Sequence, residues 1–176
     1  MTFTPLALAG AYLVEAEVQA DERGFYARTW CAEEFRRHGL SDRLEQTGFS
    51  HNRYRGTIRG LHRQVAPWAQ DRLVRCSRGA IYDVIVDLRP QSATHRRWLS
   101  VELTAARAVM LFVPEGFAHG FQTLEDETEI FYQMSEAYHP EAERGVRWND
   151  PGLAVTWPIE NPTVSEKDRA YRDFED

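Results

Sequence analysis

Short runs of β-branched and aliphatic residues, spaced roughly ten residues apart and stopped by Gly, Pro, Asn or Asp, dominate the chain. Ala80–Leu88 ends at Arg89 and Pro90, Trp98–Leu103 alternates, and Ala108–Val113 stops at Pro114. Glu129–Met134 and Ala154–Trp157 follow. Runs this short and this close predict an all-β sandwich or barrel. A parallel α/β sheet needs a crossover of about a dozen residues or more between strands, and these gaps cannot supply several. One short helix is predicted over Ala32–His38. Thr29 is its expected cap, and Gly39 suits the left-handed position beyond its end. Its acids Glu33 and Glu34 precede its bases Arg36 and Arg37, which complements the helix dipole.

The chain has 176 residues, 43% hydrophobic and 27% charged, enough apolar mass for one core. Neither a repeat nor a linker interrupts it, so a single domain over residues 1–176 is expected. No apolar run approaches the ~18 residues of a membrane span. No basic region precedes the short apolar stretch in Met1–Gly10, so neither a leader nor a membrane partner is expected. The two cysteines, Cys31 and Cys76, make neither a disulfide framework nor a cysteine-rich zinc site, and a reducing cytoplasm follows as the expected compartment. A net charge of −6 argues against a nucleic-acid partner but leaves room for a local basic pocket that takes a phosphorylated ligand.

Six histidines carry most of the chemical interest. His38 lies in the helix tail, while His51, His95 and His139 sit in polar, loop-like stretches. His62 and His119 differ, being flanked by glycine and large apolar residues in Arg59-Gly60-Leu61-His62 and Phe117-Ala118-His119-Gly120-Phe121. Such histidines are partly desolvated, as a hydrogen-bonded core histidine or a catalytic one would be. A metal site built on two histidines at i and i+2 is not expected, because Gln64 stands two residues after His62. Neither the serine nucleophile elbow nor a glycine-rich nucleotide loop is present. Twenty of the 21 basic residues are Arg, and Lys167 is the single Lys. Arg23, Arg59, Arg72 and Arg75 adjoin apolar segments, where a guanidinium fork suits phosphate oxygens.

Taken in order, several segments resemble the dTDP-4-dehydrorhamnose 3,5-epimerases. They are Asp21-Glu22-Arg23-Gly24-Phe25, Arg59-Gly60-Leu61-His62, Leu73-Val74-Arg75-Cys76, the Asp83–Arg89 run, Pro114–Phe121, Trp148-Asn149-Asp150-Pro151, Trp157-Pro158 and Ser165–Asp168. The resemblance spans nearly the whole chain. It implies a cupin-like jelly roll with a few short helices. It also implies a homodimer whose N-terminal segment reaches the partner's site, and a nucleoside-diphospho-sugar substrate with no metal or other cofactor. The implied reaction inverts carbons beside a ketone, by proton removal on one face and proton return on the other. The match assigns His62 as base, Asp168 as the carboxylate that orients it, and Tyr132 as acid, its phenol acidified by a nearby cation. It assigns Arg23 and Arg59 to the diphosphate, His119 and Asp83 to the sugar pocket, and Arg72, Gln46 and Lys167 to further substrate contacts.

The chain departs from the family pattern in places. Arg72 stands where the family has lysine, Gly48 where it has asparagine, and Arg28 where it often has glutamate. Ala137 replaces an aromatic beside Tyr138. Because the last three changes fall where the base is held, a mono-epimerase for a CDP- or GDP-linked 4-keto sugar is the alternative reading. A non-catalytic sugar-binding cupin and a metal-dependent cupin oxygenase are the other classes to separate.

Overall fold

A computed structural model describes residues 1–175; Asp176, the last residue of the expected domain, lies outside the described residues. In chain order the elements are β1 (Thr2–Pro5), β2 (Tyr12–Glu15), β3 (Val18–Asp21), β4 (Gly24–Ala27), α1 (Ala32–Arg37), β5 (Gln46–Asn52), β6 (Thr57–Gln64), β7 (Arg72–Arg78), β8 (Ala80–Asp87), β9 (Trp98–Thr104), β10 (Val109–Val113), β11 (Phe117–Thr123), β12 (Thr128–Met134), β13 (Glu143–Gly145), β14 (Thr163–Val164) and α2 (Glu166–Arg169). One sheet has the order β1-β2-β10-β7-β12-β5. The other has the order β13-β6-β11-β8-β9, with β14 also on β6. The two form the expected cupin-like jelly roll. A separate hairpin, β3–β4, pairs only with itself among the described residues.

Two of the runs that stood out in the sequence, β8 and β10, are strands covered on both faces. In β8, Ile81 and Ile85 enter the core between the sheets, with Val74, Leu111, Phe117 and Ile130. Val84 and Val86 enter a second cluster on the outer face of the same sheet, under Trp157 and Phe174. Likewise Val109, Leu111 and Val113 of β10 face the central core, whereas Met110 and Phe112 face Phe35 of α1. A strand buried on both sides reads as a continuous apolar run. Burying each of these side chains contributes about 1.5–3 kcal/mol.

Three expectations need correction. The helix ends at Arg37, and its cap residue is Cys31, in extended conformation with no side-chain bond, rather than Thr29. What holds the helix is Phe35, fully buried against Val14, Leu73, Met110 and Phe112. Gly39 does take the left-handed conformation, at φ +70°. Ala154–Trp157 is not a strand. Ala154 turns back with φ +50°, and Val155 and Trp157 cover the outer face of β8, so their apolar character serves packing rather than a ladder. His51 lies in β5, not in a loop, and its ring meets the Glu127 carboxylate at 3.0 Å.

Candidate active site

One end of the space between the sheets is filled by the apolar core. The other end opens as a cavity of about 340 Å³, walled by Gln46, Arg59, His62, Gln64, Gln70, Arg72, His119, Phe121, Tyr132, Met134, Tyr138, Glu143 and Lys167. Both sheets contribute: β5, β7 and β12 on one side, β6, β11 and β13 on the other.

The wall on β6 depends on a bulge. His119 of β11 stands opposite His62, and Phe121 opposite Arg59. Two steps along β11 therefore match three along β6, so β6 carries one extra residue there. His119 and Phe121 share a face, and so do their partners Arg59 and His62, although an odd spacing in a regular strand would part them. Gly60 makes this possible. Its φ is +133°, and a Cβ on it would lie 2.6 Å from the Cα of Gly120.

Two histidine–carboxylate pairs result. Nε2 of His62 lies 2.7 Å from Oδ1 of Asp168, 106 residues away in sequence. Asp168 is buried at the start of α2, where the Ser165 hydroxyl accepts its backbone N–H. Its Oδ2 accepts the backbone N–H of Gly60 at 3.3 Å. Burial alone would raise the Asp168 carboxyl, but His62, the Gly60 N–H and the Ser165 hydroxyl outweigh it and hold it below the usual range. An ionised carboxylate only accepts, so Nε2 of His62 carries the proton and Nδ1 is the basic nitrogen. In the second pair, Nε2 of His119 meets Oδ1 of Asp83 at 2.7 Å. Asp83 is fully buried and touches the cavity only through His119.

Tyr132 extends from β12 across from these pairs, its ring 6.3 Å from that of His119 and nearly perpendicular to it. The sequence suggested a phenol acidified by a cation. Instead, burial pushes the Tyr132 hydroxyl well above its ordinary value, and the charges of Arg72 and Arg59 offset only part of that rise. Tyr132 is therefore a protonated phenol at neutral pH. Arg72 is aimed by two bonds, from Nε to Gln70 Oε1 at 3.0 Å and from Nη1 to the His62 carbonyl at 3.2 Å. Nε of Arg59 donates to Asn52 Oδ1 at 2.7 Å.

Of the residues singled out from the sequence, Gln46, Arg59, His62, Arg72, His119, Tyr132 and Lys167 meet at this cavity, with Asp168 and Asp83 behind the two histidines. Arg23 does not. It sits on the exposed β3–β4 hairpin and pairs with Asp21 at 2.5 Å. Among the departures from the family pattern, Gly48 lies opposite Tyr132 in register, whereas Arg28 pairs with Glu34 outside the cavity. Sequence reasoning missed Gln70, Met134, Glu143 and Tyr171, and gave Phe121, inside the Pro114–Phe121 segment, no role. The spacing of the four missed residues carries no motif. Among the described residues, no group of three or more His, Cys, Asp or Glu side chains is placed to hold a metal ion. No helix among them is long and apolar enough to cross a membrane.

The family model for dTDP-4-dehydrorhamnose 3,5-epimerase matches residues 5–176. The chain belongs to the dTDP-4-dehydrorhamnose 3,5-epimerase family. A member from Methanothermobacter thermautotrophicus is 42% identical over 173 residues, spanning 97% of this chain and 92% of that protein. The solved structure of a member from Bacillus anthracis, with TDP and pyrophosphate bound, superposes with a TM-score of 0.95 at 39% identity. That match covers 98% of this chain and 99% of the other. The member from Legionella pneumophila, in complex with dTDP-4-keto-L-rhamnose, gives a TM-score of 0.92 at 33% identity over 98% of this chain and 92% of the other. The family is one of sugar epimerases, and this epimerase is an enzyme of that class.

Proposed function

We propose that the epimerase converts dTDP-4-dehydro-6-deoxyglucose to dTDP-4-dehydrorhamnose, with the sugar held between the two sheets. Thymine is the base favoured by the ligands of the solved relatives. Nδ1 of His62 removes a proton from a carbon beside the C4 ketone, and the C–H electron pair moves to the carbonyl oxygen. The resulting enolate oxygen takes a charged hydrogen bond from Arg72 and lies beside His119. Asp168 stabilises the imidazolium formed on His62 and fixes its ring. Tyr132 delivers its proton to the same carbon from the opposite face, which inverts it, and the electron pair returns from oxygen to carbon. Exchange with solvent then takes the proton from His62 and returns one to Tyr132, and the cycle repeated at C5 and C3 inverts both. Arg59, Gln46 and Lys167 contact the nucleotide diphosphate and the sugar, and Asp83 holds His119.

The observation that carries this reading is the His62–Asp168 bond at 2.7 Å in the same cavity as Tyr132. Mere binding of a sugar requires neither a carboxylate-oriented imidazole nor a protonated phenol on the facing sheet. Arg23 completes the diphosphate site from a partner chain in a homodimer. Its hairpin leaves Phe25 69% and Tyr26 65% exposed, large apolar groups that a partner would cover. Cys31 and Cys76 are free thiols, as in a reducing cytoplasm, where we place the enzyme.

The test is proton NMR of dTDP-4-dehydro-6-deoxyglucose with the enzyme in D2O. Deuterium at both C3 and C5 is expected. Label at one carbon makes it a mono-epimerase, and label only in a CDP- or GDP-linked analogue replaces thymine in the reading.

A further inference from the structure

Glu143, on β13, is fixed by three side chains from two other segments. It accepts hydrogen bonds from the hydroxyl of Tyr138, from Lys167 and, at 2.9 Å, from the hydroxyl of Tyr171. Its side chain is only 13% exposed, although it forms part of the cavity wall. Lys167 and Tyr171 flank Asp168 on the C-terminal segment, whereas Tyr138 belongs to the loop after β12. One carboxylate thus ties the loop after β12 and the C-terminal segment to the second sheet.

A second contact on β13 points the same way. Gly145 stands opposite His62 in the β13–β6 ladder. The Tyr171 ring lies over Gly145 so closely that a Cβ there would come within 2.2 Å of its Cζ. The same ring meets the His62 imidazole in a T-shaped contact, 5.7 Å between centroids. β13 therefore seats Tyr171 twice, by a hydrogen bond at Glu143 and by the missing side chain at Gly145. The segment so seated presents Asp168 to His62.

The geometry points to Glu143 as a positioning residue of the epimerase, one that clamps the C-terminal segment so that Asp168 stays bonded to the His62 ring. This rests on the reading of His62 as the base. Glu143 touches no reacting atom and acts through Lys167 and Tyr171. Three donors converge on one acceptor group with two oxygens. A carboxamide in its place would turn an N–H2 toward at least one of them and lose the ionic attraction of Lys167.

Glu143→Gln and Gly145→Ala are the variants to compare with the wild type, in three measurements. These are kcat and KM for epimerisation, the downfield proton NMR signal of the His62 N–H bonded to Asp168, and the thermal midpoint. Both variants are expected to lower kcat about 10- to 100-fold, the usual effect of a misplaced catalytic group. KM should stay within a few-fold, and the downfield signal should be lost or broadened. Glu143→Asp should recover part of both. Wild-type kcat in Glu143→Gln overturns the clamp, and so does a fall in kcat with the downfield signal intact. If Glu143→Gln does not fold, Tyr171→Phe removes one donor from the same carboxylate and is judged by the same two readouts. His62→Asn separates the two claims. If it abolishes turnover while Glu143→Gln is unaffected, only the clamp is wrong, whereas turnover that survives His62→Asn overturns the base assignment itself.

Discussion

Tyr132 and His62 enter one cavity from opposite sheets, Tyr132 from β12 and His62 from β6. In the proposed reaction the sugar ring lies between the sheets and presents one face to each. That arrangement puts the base and the acid on opposite faces of the carbon to be inverted.

Removing the acid should separate exchange from inversion. Tyr132→Phe is expected to lower epimerisation about 100-fold or more. His62 remains able to remove a proton and return a solvent-derived one to the same face. Deuterium should therefore still enter the sugar with its configuration retained. Exchange and inversion falling together would show that Tyr132 is needed for proton removal as well.

Mixed dimers test where Arg23 acts. Arg23→Ala and His62→Asn are each expected to be nearly inactive alone. If Arg23 serves the partner's cavity, a heterodimer of the two variants contains one site with both residues intact. Co-refolding the two chains should then restore a substantial part of the wild-type rate. If each chain supplies its own Arg23, the mixture stays inactive.

The carboxylate of Glu143 contributes to acid stability. Burial alone would raise the Glu143 carboxyl, but the bonds from Lys167, Tyr138 and Tyr171 outweigh it and bring it from an ordinary 4.5 to about 2. The folded state thus binds fewer protons here than the unfolded chain. The stabilisation is complete above about pH 4.5 and is lost as pH falls toward about 2. Asp168 acts in the same direction below its ordinary value of 3.8. Thermal midpoints measured from pH 5 downward should fall, and Glu143→Gln should show a shallower fall than the wild type.

The bulge can be tested by packing alone. Gly60→Ala combines a left-handed backbone with a 2.6 Å approach to Gly120, and should cost about 3 kcal/mol in urea unfolding. Gly48→Ala has no atom within 4 Å of the new Cβ and an ordinary backbone. It should change stability by no more than about 0.5 kcal/mol.

The jelly roll was legible where strands are buried twice. β8 and β10 announce themselves because both faces must be apolar, and that demand is written in consecutive residues. The strands of the site were harder to read. β6, β7 and β11 turn Gln64, Arg72 and His119 into the cavity, and polar inward residues break the alternation by which a strand is recognised. The resemblance to the epimerases supplied His62, Tyr132 and Asp168, while no pattern along the chain pointed to Glu143, Gln70 or Tyr171.

By itself, the sequence determined the strand-rich class, the apolar layers and the residue types available for proton transfer, since these follow from local composition and side-chain period. Tertiary structure alone decided that Arg59 and His62 share a face, because a register shift against β11 sets it. It also decided that Asp168 meets His62 across 106 residues, and that Tyr132 is buried deeply enough to keep its proton. Register, long-range contact and desolvation are properties of neighbours in space, and no stretch of chain carries them alone.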